Sequence, residues 1–198
     1  GSSPSESSTQ YSEPFSAEGK VVKVVAYLDG KSPSDIVTAY VNVTGTFTWK
    51  WNTTGVLQTS PIIEGNVADI IDENTKVVIG KKLTQGAETV NGKGTVTVKP
   101  TDGIAVTEVD EESTITFNII PAAGIAFKPN SVSFDAVRIS TGSGFMDVYL
   151  KNENNDYPLL KKSLPNLDNL TSYNNDSFKA IEDIPAAAEE WSLKYYIY

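Results

Sequence analysis

The chain has 198 residues, a formal net charge of −9, and neither cysteine nor histidine. Its length suits one large all-β domain, and an apolar content of 39% suffices for a core. The missing residue types exclude thiol nucleophiles, thiolate or imidazole metal ligands, disulfides and imidazole-dependent serine triads, and scattered lysines on an acidic chain argue against a nucleic-acid partner.

Residues 1–18 begin GSSPSESSTQYSEP, serine-rich and without hydrophobic periodicity, so a flexible tether is expected there, with residues 19–198 forming a single β-sandwich domain. Such tethers follow the lipidated cysteine of bacterial lipoproteins. The expectation is an exported protein, at the bacterial cell surface or in the periplasm, with a lipid anchor upstream. No apolar run reaches membrane-spanning length.

Beyond the tether, threonine, valine, isoleucine and tyrosine alternate in short runs, which predicts strands. They fall at residues 20–28, 37–51 (with a break at Gly45), 67–71, 76–79, 94–99, 113–120, 131–140, 145–151 and 192–198. Asn91-Gly92-Lys93-Gly94 and Thr141-Gly142-Ser143-Gly144 read as hairpin turns. Pro121, Pro129, Pro158, Pro165 and Pro185 are expected between strands. The fold class is therefore all-β: a mainly antiparallel sandwich of about nine or more strands, jelly-roll-like because residues 152–188 read as one long irregular crossover. IPAAAEEW, at 184–191, reads as a helical turn. The terminal YYIY either lies deep in a sheet or continues into further chain.

Several groupings invite a chemical reading. Arg138 is the single arginine among sixteen basic residues. A two-residue turn at Gly142-Ser143 would set Arg138 opposite Asp147 and Ala136 opposite Tyr149. Val137, Ile139, Met146, Val148 and Leu150 then face the core, while Ala136, Arg138, Phe145, Asp147, Tyr149 and Lys151 share the other face. Asp135 fits this alternation poorly, and a bulge near Ala136 would shift residues 133–136 to the opposite register. The plainer reading of Arg138 and Asp147 is a cross-strand ion pair on a solvated face. The sharper one is a shallow binding surface in which rings supply flat apolar area and the charged groups fix hydroxyls.

Phe47, Trp49 and Trp51 fall on one side of their strand and read as core, with Trp51 nearest a loop-built site. Acidic runs at Asp69, Asp72 and Glu73 and at Asp110, Glu111 and Glu112 read as turns, since the carboxyl separation that a glycosidase requires cannot be set by linear sequence. No cofactor is expected. A metal would be a hard, oxygen-ligated cation such as structural calcium, although no calcium-loop spacing is visible.

The run STITFNIIPAAGIAFKPNSVSFDAVRISTGSGFMDVYLK, with TWKW before it and EEWSLKYYIY after it, resembles a pattern in β-sandwich domains of surface lipoproteins and polysaccharide-degrading enzymes of anaerobic gut bacteria. The resemblance implies a galactose-binding-like or jelly-roll sandwich belonging to polysaccharide-utilisation machinery. It carries over no catalytic residue. The expected function is a non-catalytic carbohydrate-binding or accessory module whose partner is a polysaccharide or glycan, with Arg138, Asp147, Phe145, Tyr149 and Trp51 as candidate ligand contacts. A structural or adhesive sandwich that contacts other proteins is the alternative, and a carboxylate-dependent glycoside-processing enzyme is a more distant third.

Overall fold

The computed structural model describes residues 3–17, 19–52, 54–90, 93–101, 110–136, 145–163, 171–173 and 184–197. Among them the regular elements are β-strands and two short 3-10 turns, and the ladders are antiparallel. The all-β class follows from the density of β-branched and aromatic residues in short alternating runs.

The chain divides into two compact units, one comprising Gly1–Phe47 with Ile63–Asp69 and the other Thr48–Ile62 with Ile70–Tyr198. In the first unit β1 (Lys20–Val24) pairs with β2 (Val37–Val41) as an isolated ribbon. Asn42, at φ +46, takes the left-handed conformation directly after β2, so the break in the stretch expected at 37–51 falls just before Gly45 and not at it. The chain resumes as β3 (Gly45–Thr48), which pairs with β4 (Ile62–Gly65). Gly45 is required there, because a Cβ would collide with the Val67 side chain. The strand expected at 67–71 is instead a 3-10 turn over Ala68–Ile70.

The larger unit is built on a five-stranded sheet in the order β11-β10-β13-β8-β5. Its strands are β5 (Val77–Ile79), β8 (Thr114–Ile119), β10 (Phe145–Lys151), β11 (Asp156–Ser163) and β13 (Trp191–Ile197). Two smaller sheets accompany it, β6 (Leu83–Val90) with β7 (Lys93–Pro100) and β9 (Phe134–Ala136) with β12 (Thr171–Tyr173). Val90 pairs with Lys93 at one end of the β6–β7 ladder; residues 91 and 92 of the expected turn lie outside the described residues.

One face of the large sheet forms the core. Val77, Ile115, Met146, Val148, Leu150, Trp191 and Tyr195 are buried there together with Leu57, Leu83, Tyr173 and Ile184 from outside the sheet. An aromatic chain crosses this interior. Trp49 meets Phe117 at 5.0 Å, Phe117 meets Tyr195 at 5.5 Å, Tyr195 meets Phe134 at 4.9 Å, and Phe134 stacks on Tyr173 at 5.0 Å. Mostly edge-on contacts of this kind add to simple area burial. Burial also pushes the Tyr195 hydroxyl far above its ordinary pKa, so it stays protonated.

Several expectations need correction. Residues 152–188 contain β11 and β12 rather than an uninterrupted crossover. Pro158 lies within β11, where the pairing with β10 shifts between Val148 and Tyr149. An outermost strand beside such an irregularity tolerates a residue that cannot donate. The stretch 184–191 forms no helical turn among the described residues; Ala187 makes an isolated bridge to Phe127, with reciprocal hydrogen bonds of 2.8 and 3.0 Å.

Candidate functional site

Strand alternation sorts the large sheet into two chemically distinct faces. On β10, Met146, Val148 and Leu150 point into the core, leaving Phe145, Asp147, Tyr149 and Lys151 on the outer face. On β13 the inner set is Trp191, Leu193, Tyr195 and Ile197, and the outer set is Ser192, Lys194 and Tyr196. The register aligns Asp147 with Tyr196, Tyr149 with Lys194, and Lys151 with Ser192. Beyond β13, β8 contributes Thr114, Thr116 and Asn118 to the same outer face.

Glu111 anchors one side of this surface. Asp110 caps the 3-10 turn Glu111–Ser113 by accepting a hydrogen bond from the Glu112 amide, which leads the chain into β8 beside Tyr196. The Glu111 carboxylate then accepts from the Tyr196 hydroxyl at 2.7 Å and from Lys194 at 2.9 Å. Burial alone would raise the Glu111 pKa, but these donors and the Lys194 and Lys151 charges outweigh it and hold the carboxyl below its ordinary value. Burial and the Glu111 hydrogen bond keep the Tyr196 hydroxyl protonated against the opposing influence of Lys151.

Tyr149 meets Tyr196 edge-on, with centroids 5.6 Å apart and planes at 89°. The Lys151 ammonium lies 5.6 Å from each ring centroid and pairs with Asp156 at 3.0 Å. Burial would lower the Lys151 pKa, yet hydrogen bonding with Tyr196 and Asp156 raises it, so the ammonium is charged at neutral pH. Ser192 donates to Asn118 Oδ1 at 3.0 Å and extends the polar row. The result is a row of rings and prearranged hydrogen-bonding groups, in which Thr114, Asp147 and Tyr196 are buried and Tyr149 and Lys151 half-buried.

Phe145, Asp147 and Tyr149 share a face as alternation requires, but the face is less solvated than expected. Asp147 is only 5% exposed. Both edges of β10 are occupied, by β11 and β13, so Asp147 stands opposite Lys161 and Tyr196 in the two ladders. The hairpin register that set Arg138 against Asp147 is therefore not the one β10 adopts. Arg138 itself lies outside the described residues, as does the turn at 141–144. Ala136 pairs with Thr171, not Tyr149, and packs with Phe134 on the core while Asp135 is exposed.

Trp51 does not join this surface. It bridges to Leu57 and packs against the core together with Trp49. Asn52 organises the adjoining turn by accepting at Oδ1 from the Thr54 amide, the Thr54 hydroxyl and the Val56 amide. At φ +78, with its α-carbon against the Gly86–Ala87 peptide, Gly55 leaves no room for a side chain. Sequence reasoning overlooked Glu111, Lys194 and Tyr196. The alternation of SLKYYIY already separated Lys194 and Tyr196 from the core side, but nothing local linked them to an acidic run some eighty residues earlier.

Among the described residues no group of three or more Asp, Glu, His or Cys could hold a metal ion, and no helix is long and apolar enough to cross a membrane. No protein-family model, no curated protein and no solved structure matches the chain.

Proposed function

We propose that this chain is a non-catalytic carbohydrate-binding or accessory module of an exported bacterial surface protein, a jelly-roll or galactose-binding-like sandwich whose ligand is a polysaccharide or glycan. The observation that carries the reading is the pair of rings Phe145 and Tyr149 along the outer face of β10, with Lys151 beside them and Lys194 on β13, while Asp147 and Tyr196 on the same face are buried. Successive outward residues stand about 7 Å apart along a strand, and neighbouring strands run about 4.8 Å apart. Rings and polar groups at those spacings offer a sugar both a flat apolar contact and hydroxyl-directed hydrogen bonds. Phe145 is exposed and Tyr149 half-buried, so both rings retain area for contact. The ion pairs around them hold the lysines and Glu111 in place before a ligand arrives, which reduces the ordering cost of binding.

A glycan array followed by affinity electrophoresis tests the reading. Retarded migration in the presence of a polysaccharide is expected, with affinity reduced about tenfold or more by Tyr149→Ala, equivalent to about 1.4 kcal/mol. Phe145→Ala should weaken binding less, and both variants should retain cooperative thermal unfolding. A broad array without any response would instead favour the structural or adhesive reading, which the exposed apolar residues of the β1–β2 ribbon also support.

A further inference from the structure

We infer that the ligand of the large sheet's outer face is a neutral glycan, two adjacent ring hydroxyls of which are read by the Glu111–Lys194 pair while Tyr149 supports the sugar ring. The inference rests on the glycan reading above and names the class of sugar and the groups that select it.

Among the described residues the charged groups of this face occur in opposed sets. Lys194 meets Glu111 at 2.9 Å, and Lys151 meets Asp156 at 3.0 Å. In the β10–β11 ladder Asp147 stands opposite Lys161. A carboxylated or sulfated glycan would have to compete with Glu111 or Asp156 for its cation, on a chain whose formal net charge is already −9. A sugar without charge meets no such competition.

The Glu111–Lys194 pair also has the chemistry that hydroxyls require. An ammonium only donates hydrogen bonds and a carboxylate only accepts them. Side by side they complement two neighbouring hydroxyls, one accepting from Lys194 and the other donating to Glu111, and both bonds are charge-assisted. The Glu111 side chain is 64% exposed and that of Lys194 23%, so a ligand can reach the pair, whereas Asp147 and Tyr196 on the same face are buried. Its geometry is set in advance. The Tyr196 hydroxyl donates to Glu111 Oε1 at 2.7 Å while Lys194 holds Oε2, and fixing the carboxylate in this way lowers the ordering cost of binding.

Tyr149 adjoins the pair. It stands opposite Lys194 in the β10–β13 ladder, and its ring is set edge-on against Tyr196. Directly opposed residues of neighbouring strands bring their β-carbons to about 4.5–5.5 Å. One sugar ring can therefore rest its C–H face on Tyr149 and turn its hydroxyls toward Lys194 and Glu111.

Affinity electrophoresis against neutral, uronic-acid and sulfated polysaccharides tests this, with retardation expected from neutral polymers alone. Periodate, which cleaves vicinal diols, should abolish the effect of a retarding polymer. Glu111→Gln keeps an oxygen for the Tyr196 hydroxyl but replaces an acceptor with donors, and Lys194→Met keeps the aliphatic stem without its ammonium. Each should weaken neutral-glycan binding about tenfold or more, with circular dichroism and cooperative unfolding verifying the fold. Equal or stronger binding of the anionic polymers, unchanged affinity in either folded variant, or retardation that survives complete periodate cleavage overturns the inference. Those outcomes leave the glycan reading standing if Tyr149→Ala still weakens binding. A protein retarded by no polymer of any class overturns both.

Discussion

Replacing Glu111 with alanine removes the acceptor of two hydrogen bonds at once, and the two losses differ in size. Tyr196 is 2% exposed and donates its hydroxyl to Glu111 at 2.7 Å. Leaving such a hydroxyl without an acceptor costs about 1–3 kcal/mol. Lys194 also loses its partner, but the Glu111 side chain is 64% exposed, so solvent screening limits that pair to about 0.5 kcal/mol or less. The expected total is about 1–3.5 kcal/mol, or roughly 2–14 °C in Tm for a chain of this size.

Urea denaturation of wild type, Glu111→Ala, Tyr196→Phe and the double variant separates the two contributions. In the Tyr196→Phe background no hydroxyl remains to be orphaned, so Glu111→Ala should cost only the lysine share and the cycle should show a coupling of about 1–2 kcal/mol. The pH dependence has a definite sign. Because the folded-state pKa of Glu111 is depressed, its ionic contribution is complete above the unfolded value of about 4.3 and fades as pH falls through the lower folded value. The gap between wild type and Glu111→Ala should therefore narrow in acid. A coupling within about 0.3 kcal/mol of zero, below the usual additivity error, or a gap unchanged at pH 3, would falsify the proposed role of Glu111.

Other outcomes follow from the same packing. Val148, fully buried on β10 between β11 and β13, should cost about 1–3 kcal/mol when replaced by alanine, measured by chemical denaturation. Gly55→Ala combines an unfavourable positive φ with a collision against the Gly86–Ala87 peptide and should destabilise by about 2 kcal/mol or more, with exchange protection of the Leu57 amide, bonded to Gln85, falling most. Trp51→Ala should destabilise the fold by about 2–4 kcal/mol through lost core contacts, while leaving any glycan affinity unchanged; a selective loss of affinity would return Trp51 to the site.

How much of this was legible in the sequence depended on the range of the interactions involved. The period-two pattern FMDVYLK separated inner from outer residues on β10, because alternation is a property of the strand itself. A chain reversal near residues 91–94 was likewise readable from the Asn-Gly signal, which is local, and β6 and β7 do pair antiparallel on either side of it. Strand partnership was not. The glycine-rich turn after Arg138 suggested that its flanking strands pair with each other, whereas β10 is enclosed by β11 and β13. That choice depends on which long-range ladder buries the most apolar surface, a comparison that no local window contains. The same limit concealed the meeting of Glu111 with Lys194 and Tyr196, and it placed Trp51 in the core. Local sequence thus determined the all-β class and the two faces of each long strand, because backbone geometry sets them residue by residue. Only tertiary packing decided which strands became neighbours and which outward-facing groups came together.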